Sequence, residues 1–169
     1  MGCGKTSAAR HLCRLFSVET NGFVPILIDV DSEIEKLTKM PLSMIFHHHG
    51  EGHFRCLEYK FYQNLTDDAA IIATGGGVVI NPQNIDALRR RATIIYLHAT
   101  PKKIITNLGN STSRPLLPTC PNKRLATVTE MLAQREPLYR QAADCIIDTD
   151  ALNPRQIAEV IYTTSIISK

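Results

Sequence analysis

The chain has 169 residues, 44% of them hydrophobic and 21% charged, which suits one compact domain with a sizeable core and excludes a disordered tail. Its formal charge of +3 and pI near 8.6 are too mild, and its basic residues too dispersed, for a nucleic-acid surface, whereas a small anionic ligand suits them equally well. Five cysteines without C-x-x-C spacing indicate neither a disulfide framework nor a zinc knuckle and fit a reducing cytoplasm, and no apolar run reaches the roughly 18 to 20 residues of a bilayer span.

The chain opens on "MGCGKTS", whose Gly4, Lys5 and Thr6 match the end of the phosphate loop G-x-x-x-x-G-K-[ST]. In such a loop the lysine ammonium lies against the β- and γ-phosphates and the neighbouring hydroxyl ligates Mg²⁺. The bland alternative is an ordinary glycine-containing helix start. A working loop follows a β-strand, and the first glycine of the motif would fall ahead of Met1. The expectation is therefore an apolar strand roughly ten or more residues upstream, absent from this chain through a misplaced start or a shortened form.

A helix is predicted over Thr6–Phe16, then a strand over Pro25–Asp31 ("PILIDVD") and a helix over Asp31–Lys39. Asp29 and Asp31 stand two apart at the strand end, so their side chains should leave on the same side. One carboxylate could serve a metal-bound water and the other a substrate hydroxyl. Otherwise Asp31 or Ser32 is a helix cap. The next helical pattern, Met44–Leu65, contains "HHHGEGHFRCLE". Three consecutive histidines on a helix point about 100° apart and cannot meet on one ion, so His47–His49 read as a solvated face. Arg55 is a candidate for bidentate contact with a carboxylate, or else a surface ion-pair partner.

A strand over Ala70–Gly77 ends in "GGG", where backbone entropy is given up so that a ligand can approach the main chain, unless the run is a flexible turn. Then follow a helix over Pro82–Arg91, a strand over Ala92–Ala99 and a helix over Pro101–Leu108. The polar, proline-containing stretch "NSTSRPLLPTCPNK" makes a lid over about 109–123 and carries Arg114, a mobile cation able to close on a transferring phosphoryl group. A helix over Val128–Ala142 holds Arg135 in "REPLYRQAAD", and a strand over Cys145–Asp150 and a helix over Pro154–Ser165 close the chain. Strands alternating with helices predict a single α/β domain over 1–169, a parallel sheet between two helical layers. Its polar groups collect at the carboxyl ends of the strands.

In this order, "GCGKT", "DVDSEIE", "IFHHHGEGHFRCLE", "IATGGGVV", "RPLL" and "REPLYRQAAD" make the chain resemble the shikimate kinase family, P-loop enzymes of the nucleoside-monophosphate-kinase fold. The GGG, RPLL and REPLY elements separate it from the similar gluconate kinases. The resemblance implies a phosphotransferase of aromatic amino acid biosynthesis, phosphorylating the 3-hydroxyl of shikimate with ATP and Mg²⁺. It also implies a three-layer α/β/α P-loop kinase fold whose first, central strand this chain lacks. Gly2, Cys3, Gly4, Lys5, Thr6, Ser7 and Arg114 would hold ATP, and Lys5, Asp31 and Arg114 would act in catalysis. Thr6 and Asp29 would serve the metal, and Asp31, Arg55, Gly76 and Arg135 the shikimate. A cytoplasmic monomer without nucleic-acid or membrane partners is expected. Two differences stand out: "SVETNGFVP" lengthens the first helix-to-strand connection, and Asn107 stands where the family often has an arginine that packs on adenine. "DTDALNP" resembles the adenine-edge loop. The alternatives are a non-catalytic shikimate-binding domain and a related kinase such as gluconate kinase.

Overall fold

The computed structural model describes residues 2–20, 22–66, 70–109 and 121–167. Helix α1 (Lys5–Glu19) starts from Gly4, whose φ of 84° a side chain would disfavour, and buries Ala8, Ala9, Leu12 and Cys13 along one stripe. Strand β1 (Ile26–Asp29) stops two residues earlier than the sequence suggests, because Asp29 caps helix α2 (Val30–Thr38) by accepting the Ser32 N–H at 3.2 Å. The cap is thus Asp29, not Asp31 or Ser32.

Helix α3 (Leu42–Gln63) is broken at Gly50, which takes φ 77° and ψ 172°. Strand β2 (Ala70–Ala73) is half as long as its apolar run, and the glycines leave it as a turn leading into a short 3-10 turn at Val78–Ile80. Helices α4 (Pro82–Arg89) and α5 (Pro101–Leu108) begin as expected, with proline in the first turn and Asn81 and Thr100 as caps. Between them runs β3 (Ile95–His98). Helix α6 (Pro121–Ala142) starts well before Val128 and so takes in the end of the predicted lid; residues 110–120, with Arg114, lie outside the described residues. Strand β4 (Cys145–Asp148) and helix α7 (Pro154–Ile167) follow.

The parallel sheet is recovered in two pieces. β1 pairs with β2, Ile26 opposite Ala70 through Asp29 opposite Ala73, and β3 pairs with β4, Ile95 opposite Cys145 through His98 opposite Asp148. Among the described residues β2 and β3 share no ladder. The space between them opens into a cavity of about 340 Å³, bordered by Ile71, Ala73, Ile95 and Leu97 and by Leu12, Phe16 and Ile161 of α1 and α7. A smaller one of about 80 Å³ lies toward the carboxyl ends, against Cys3, Thr74, Gly75 and Tyr139. Two hydrophobic clusters flank the gap. One is built on β1 with α2, α3 and α4, the other on β3 and β4 with α1, α5 and α7.

Candidate active site

Residues 2–7 wrap the amino end of α1 and line a cavity of about 660 Å³, within the usual range of about 300 to 1,000 Å³ for small-ligand sites. Lys103, Asn107, Thr149 and residues 151–154 complete its wall, which places "DTDALNP" opposite the loop. A Cβ on Gly2 would come within 2.9 Å of Ile104 Cγ2 and 3.2 Å of its carbonyl oxygen, and Gly2 also has φ 67°, so only glycine lets the loop lie this close to α5. Asn107 Nδ2 donates to the Gly2 carbonyl at 2.7 Å and holds the loop from the same helix. The N–H groups and dipole at the start of α1 favour an anion in this cavity.

Lys5 Nζ reaches Cys3 Sγ at 3.8 Å. Burial would push the Cys3 thiol up, but the Lys5 ammonium and nearby backbone N–H groups outweigh it, and the thiol sits below its ordinary pKa. The neighbouring Thr6 hydroxyl donates to Asp29 Oδ2 at 2.7 Å, tying the start of α1 to the end of β1. Asp29 thus meets Thr6 with one carboxylate oxygen and the Ser32 N–H with the other. Helix α2 begins between Asp29 and Asp31 and turns Asp31 away toward Gly75.

The glycine run packs against charge. A Cβ on Gly75 would lie 2.8 Å from Glu58 Oε1 and 2.9 Å from Asp31 Oδ1, and one on Gly77 would run into the Arg55 guanidinium. The Gly76 carbonyl accepts from the Tyr139 hydroxyl and, at 3.5 Å, from Arg135 Nη1. Glycine is thus needed at 75 and 77 so that Asp31, Glu58 and Arg55 can crowd onto one turn of main chain, while Gly76 offers its carbonyl. Arg55 is held by Glu58 through Nη1 and by Glu51 through Nε at 3.1 Å and Nη2 at 2.6 Å. Arg55 and Arg135, distant in sequence, converge on Gly76 and Gly77.

Burial disfavours the Arg55 cation, but Glu58 and Glu51 more than offset this, so its pKa stands above the ordinary arginine value. For Glu58, which is fully buried, burial wins over the pull of Arg55 and pushes the carboxyl up. The Tyr139 hydroxyl is likewise pushed up by burial, against Arg135 and Lys5. A carboxyl with a raised pKa binds more protons in the folded state than in the unfolded one. Its contribution to stability is therefore present below the unfolded value near 4.5 and lost as pH rises through the folded value. Glu58→Gln removes that slope. The difference in Tm between variant and parent should shift in the variant's favour from pH 4.5 to pH 7, and a shift the other way would show that Arg55 governs the pair.

Of the residues singled out from sequence, the structure gathers Gly2 to Ser7 around one cavity and Asp31, Arg55, Gly76 and Arg135 around another point, with Thr6 and Asp29 joined between them. Sequence reasoning passed over Glu58 and Tyr139. The signal was there in spacing, since Glu58 stands three residues after Arg55 and Tyr139 four after Arg135, the separations that share a helix face.

The family described as "Shikimate kinase" matches residues 1–165. Among curated relatives, a shikimate kinase of Caldicellulosiruptor saccharolyticus is 35% identical over 164 residues, covering 96% of this chain and 90% of that protein. One of Thermodesulfovibrio yellowstonii is 37% identical over 163 residues, covering 95% and 88%. In three dimensions the chain is similar to the shikimate kinase of Acinetobacter baumannii solved in complex with shikimate, with a TM-score of 0.90, 30% identity, and coverage of 100% of this chain and 90% of that one. The phosphate-loop cavity, the charged glycine turn and these likenesses agree: the chain belongs to the shikimate kinase family.

Proposed function

We propose that the chain, as a cytoplasmic monomer, transfers the γ-phosphoryl group of ATP to the 3-hydroxyl of shikimate. The observation that carries this reading is the convergence of Asp31, Arg55 and Arg135 on Gly75–Gly77, beside a nucleotide-sized cavity that Lys5 and Thr6 border. The two guanidiniums clamp the acid's carboxylate. Asp31 accepts the proton of the attacking hydroxyl, and the buried Glu58 Oε1, which has no hydrogen-bond partner among the described residues, lies on the same side of Gly75 to receive another substrate hydroxyl. Lys5 and the backbone of residues 2–7 hold the phosphates, with Arg114 approaching from the lid. Phosphoryl transfer asks the protein mainly for such positioning and charge neutralisation.

The hydroxyl of Thr6 and the carboxylate of Asp29, already hydrogen-bonded, form the all-oxygen pair that suits Mg²⁺. Thr6 would ligate the ion directly and Asp29 through water, and the bound ion supplies charge neutralisation at the β- and γ-phosphates. The described cysteines are free thiols, in keeping with a reducing compartment. One more parallel strand belongs between β2 and β3, a reading supported by the apolar gap and by Cys3 standing at its carboxyl end.

A coupled assay of ADP release, comparing shikimate with gluconate and nucleoside monophosphates, decides the acceptor; turnover confined to gluconate would overturn the proposal. Shikimate binding without any ATP-dependent turnover would mark a binding domain instead. Arg55→Ala and Arg135→Ala should each lose a charge-assisted bond worth roughly 1.5 to 3 kcal/mol. That corresponds to a fall in kcat/KM for shikimate of about 10- to 150-fold, expressed mainly in KM. An unchanged kcat/KM in either variant removes that arginine from the site.

A further inference from the structure

His49 and His53 stand on either side of the kink at Gly50, four residues apart, the separation that puts two side chains on one helix face. In an unbroken helix His47, His48 and His49 fan outward. His49 and His53 remain neighbours across Gly50, which takes φ 77° and ψ 172°: their ring centroids are 4.8 Å apart and their planes are inclined by 38°. Both side chains are exposed. We propose that His49 and His53 form a two-histidine site for one borderline transition-metal cation such as Zn²⁺ or Ni²⁺, a clip closed across the kink in α3.

Metal–imidazole bonds are about 2.0 to 2.1 Å long, so two ligating nitrogens stand roughly 3 to 4 Å apart. Ring centroids 4.8 Å apart put a nitrogen of each exposed, tilted ring within reach of that separation by side-chain rotation. Solvent on the exposed side fills the remaining positions, since no group of three or more His, Cys, Asp or Glu among the described residues is arranged around an ion. Imidazole donors select borderline cations over Mg²⁺, so the clip does not compete for the ion that accompanies ATP. The site has a route to the acceptor pocket. Glu51 lies between the two histidines in sequence and holds Arg55 through Nε and Nη2. Fixing the kink therefore fixes Glu51 and, through it, the guanidinium beside Gly77. This second step rests on the proposed function; the binding step does not.

Calorimetric titration of the purified full chain with Ni²⁺ or Zn²⁺ tests the site. One ion per chain is expected. Because joining two donors strengthens binding by about 10²- to 10⁴-fold over either alone, His49→Ala and His53→Ala should each weaken it at least about a hundredfold. The control His47→Ala/His48→Ala should bind as the parent does. Ni²⁺ should also raise Tm in the parent and not in His53→Ala, a readout that needs no activity. Equal binding by the parent and the His49→Ala/His53→Ala double variant, or loss of binding in the control, would overturn the site. With Mg²⁺ and ATP held constant, Ni²⁺ should lower the shikimate KM of the parent but leave that of His53→Ala unchanged. An unchanged KM in the parent would overturn the link to Arg55.

Discussion

Lys5→Ala should lower kcat by about 10²- to 10³-fold, the usual effect of removing one fixed charge from a developing transition state, while shikimate affinity measured without nucleotide stays as it was. Lys5 borders the cavity proposed for the nucleotide, whereas the proposed carboxylate clamp is made by α3 and α6. Charge builds on the transferring phosphoryl group and its β-phosphate neighbour, and the ammonium meets it only there. Single-turnover rates at saturating ATP, with calorimetry of shikimate alone, separate the two effects. A large rise in the shikimate dissociation constant would place Lys5 in the acceptor pocket and sink the assignment. The same variant carries an internal check. Lys5 helps hold the Cys3 thiol below its ordinary pKa, so its loss should slow alkylation of Cys3 at mildly alkaline pH.

Supplying one more apolar strand ahead of the loop should have the largest effect on stability. A strand between β2 and β3 would bury about four aliphatic side chains at about 1.5 to 3 kcal/mol each, a gain on the order of 6 to 12 kcal/mol. That rivals the whole stability of an ordinary domain, about 5 to 15 kcal/mol. It would also satisfy the facing backbone edges of β2 and β3, which otherwise invite pairing with other chains. The strand would lead directly into Gly2 and Cys3 and brace the loop, so ATP binding should tighten as well. The comparison is between the 169-residue chain and a form extended at its amino end by a strand-forming segment. Equal Tm and equal ATP affinity in the two forms would show that the gap needs no strand.

How much of this was legible beforehand depended on the range of the interaction. Proline in the first turn of α4 and α5 is a local signal, and both starts were read correctly. Strand ends were over-read, because Ala70–Gly77 keeps its strand-like composition where it loses its pairing partner: β2 is paired only through Ala73. The cap of α2 was expected at Asp31 or Ser32, and Asp29 was expected to serve the metal. Asp29 itself caps α2 with Oδ1, and it meets Thr6 with Oδ2. The meeting of Arg55 with Arg135 is a tertiary fact that no spacing encodes; only likeness to a family could suggest it. Glu58 escaped notice because an acidic residue in a helix is ordinarily exposed; its spacing from Arg55 in "RCLE" pairs the two on one face but does not say that this face turns inward. His47–His49 read as a solvated helix face, and all three are helical and exposed, but His53, four residues after His49, was not weighed with them.

The two hydrophobic clusters on either side of the gap give the reaction a thermodynamic character of its own. The proposed acceptor residues Asp31, Arg55 and Glu58 belong to elements packed around β1, and the cavity proposed for the nucleotide to elements packed around β3 and β4. Helices α1 and α6 and strand β2 have packing partners in both. Donor and acceptor are thus carried by two separately consolidated bodies, yet in-line transfer needs their reacting atoms within about 3 to 3.5 Å of each other. We predict that whichever ligand binds first bears the entropy of setting the two in register, so that each substrate raises the affinity for the other by the same factor; equal shikimate affinity with and without a non-hydrolysable ATP analogue would overturn this.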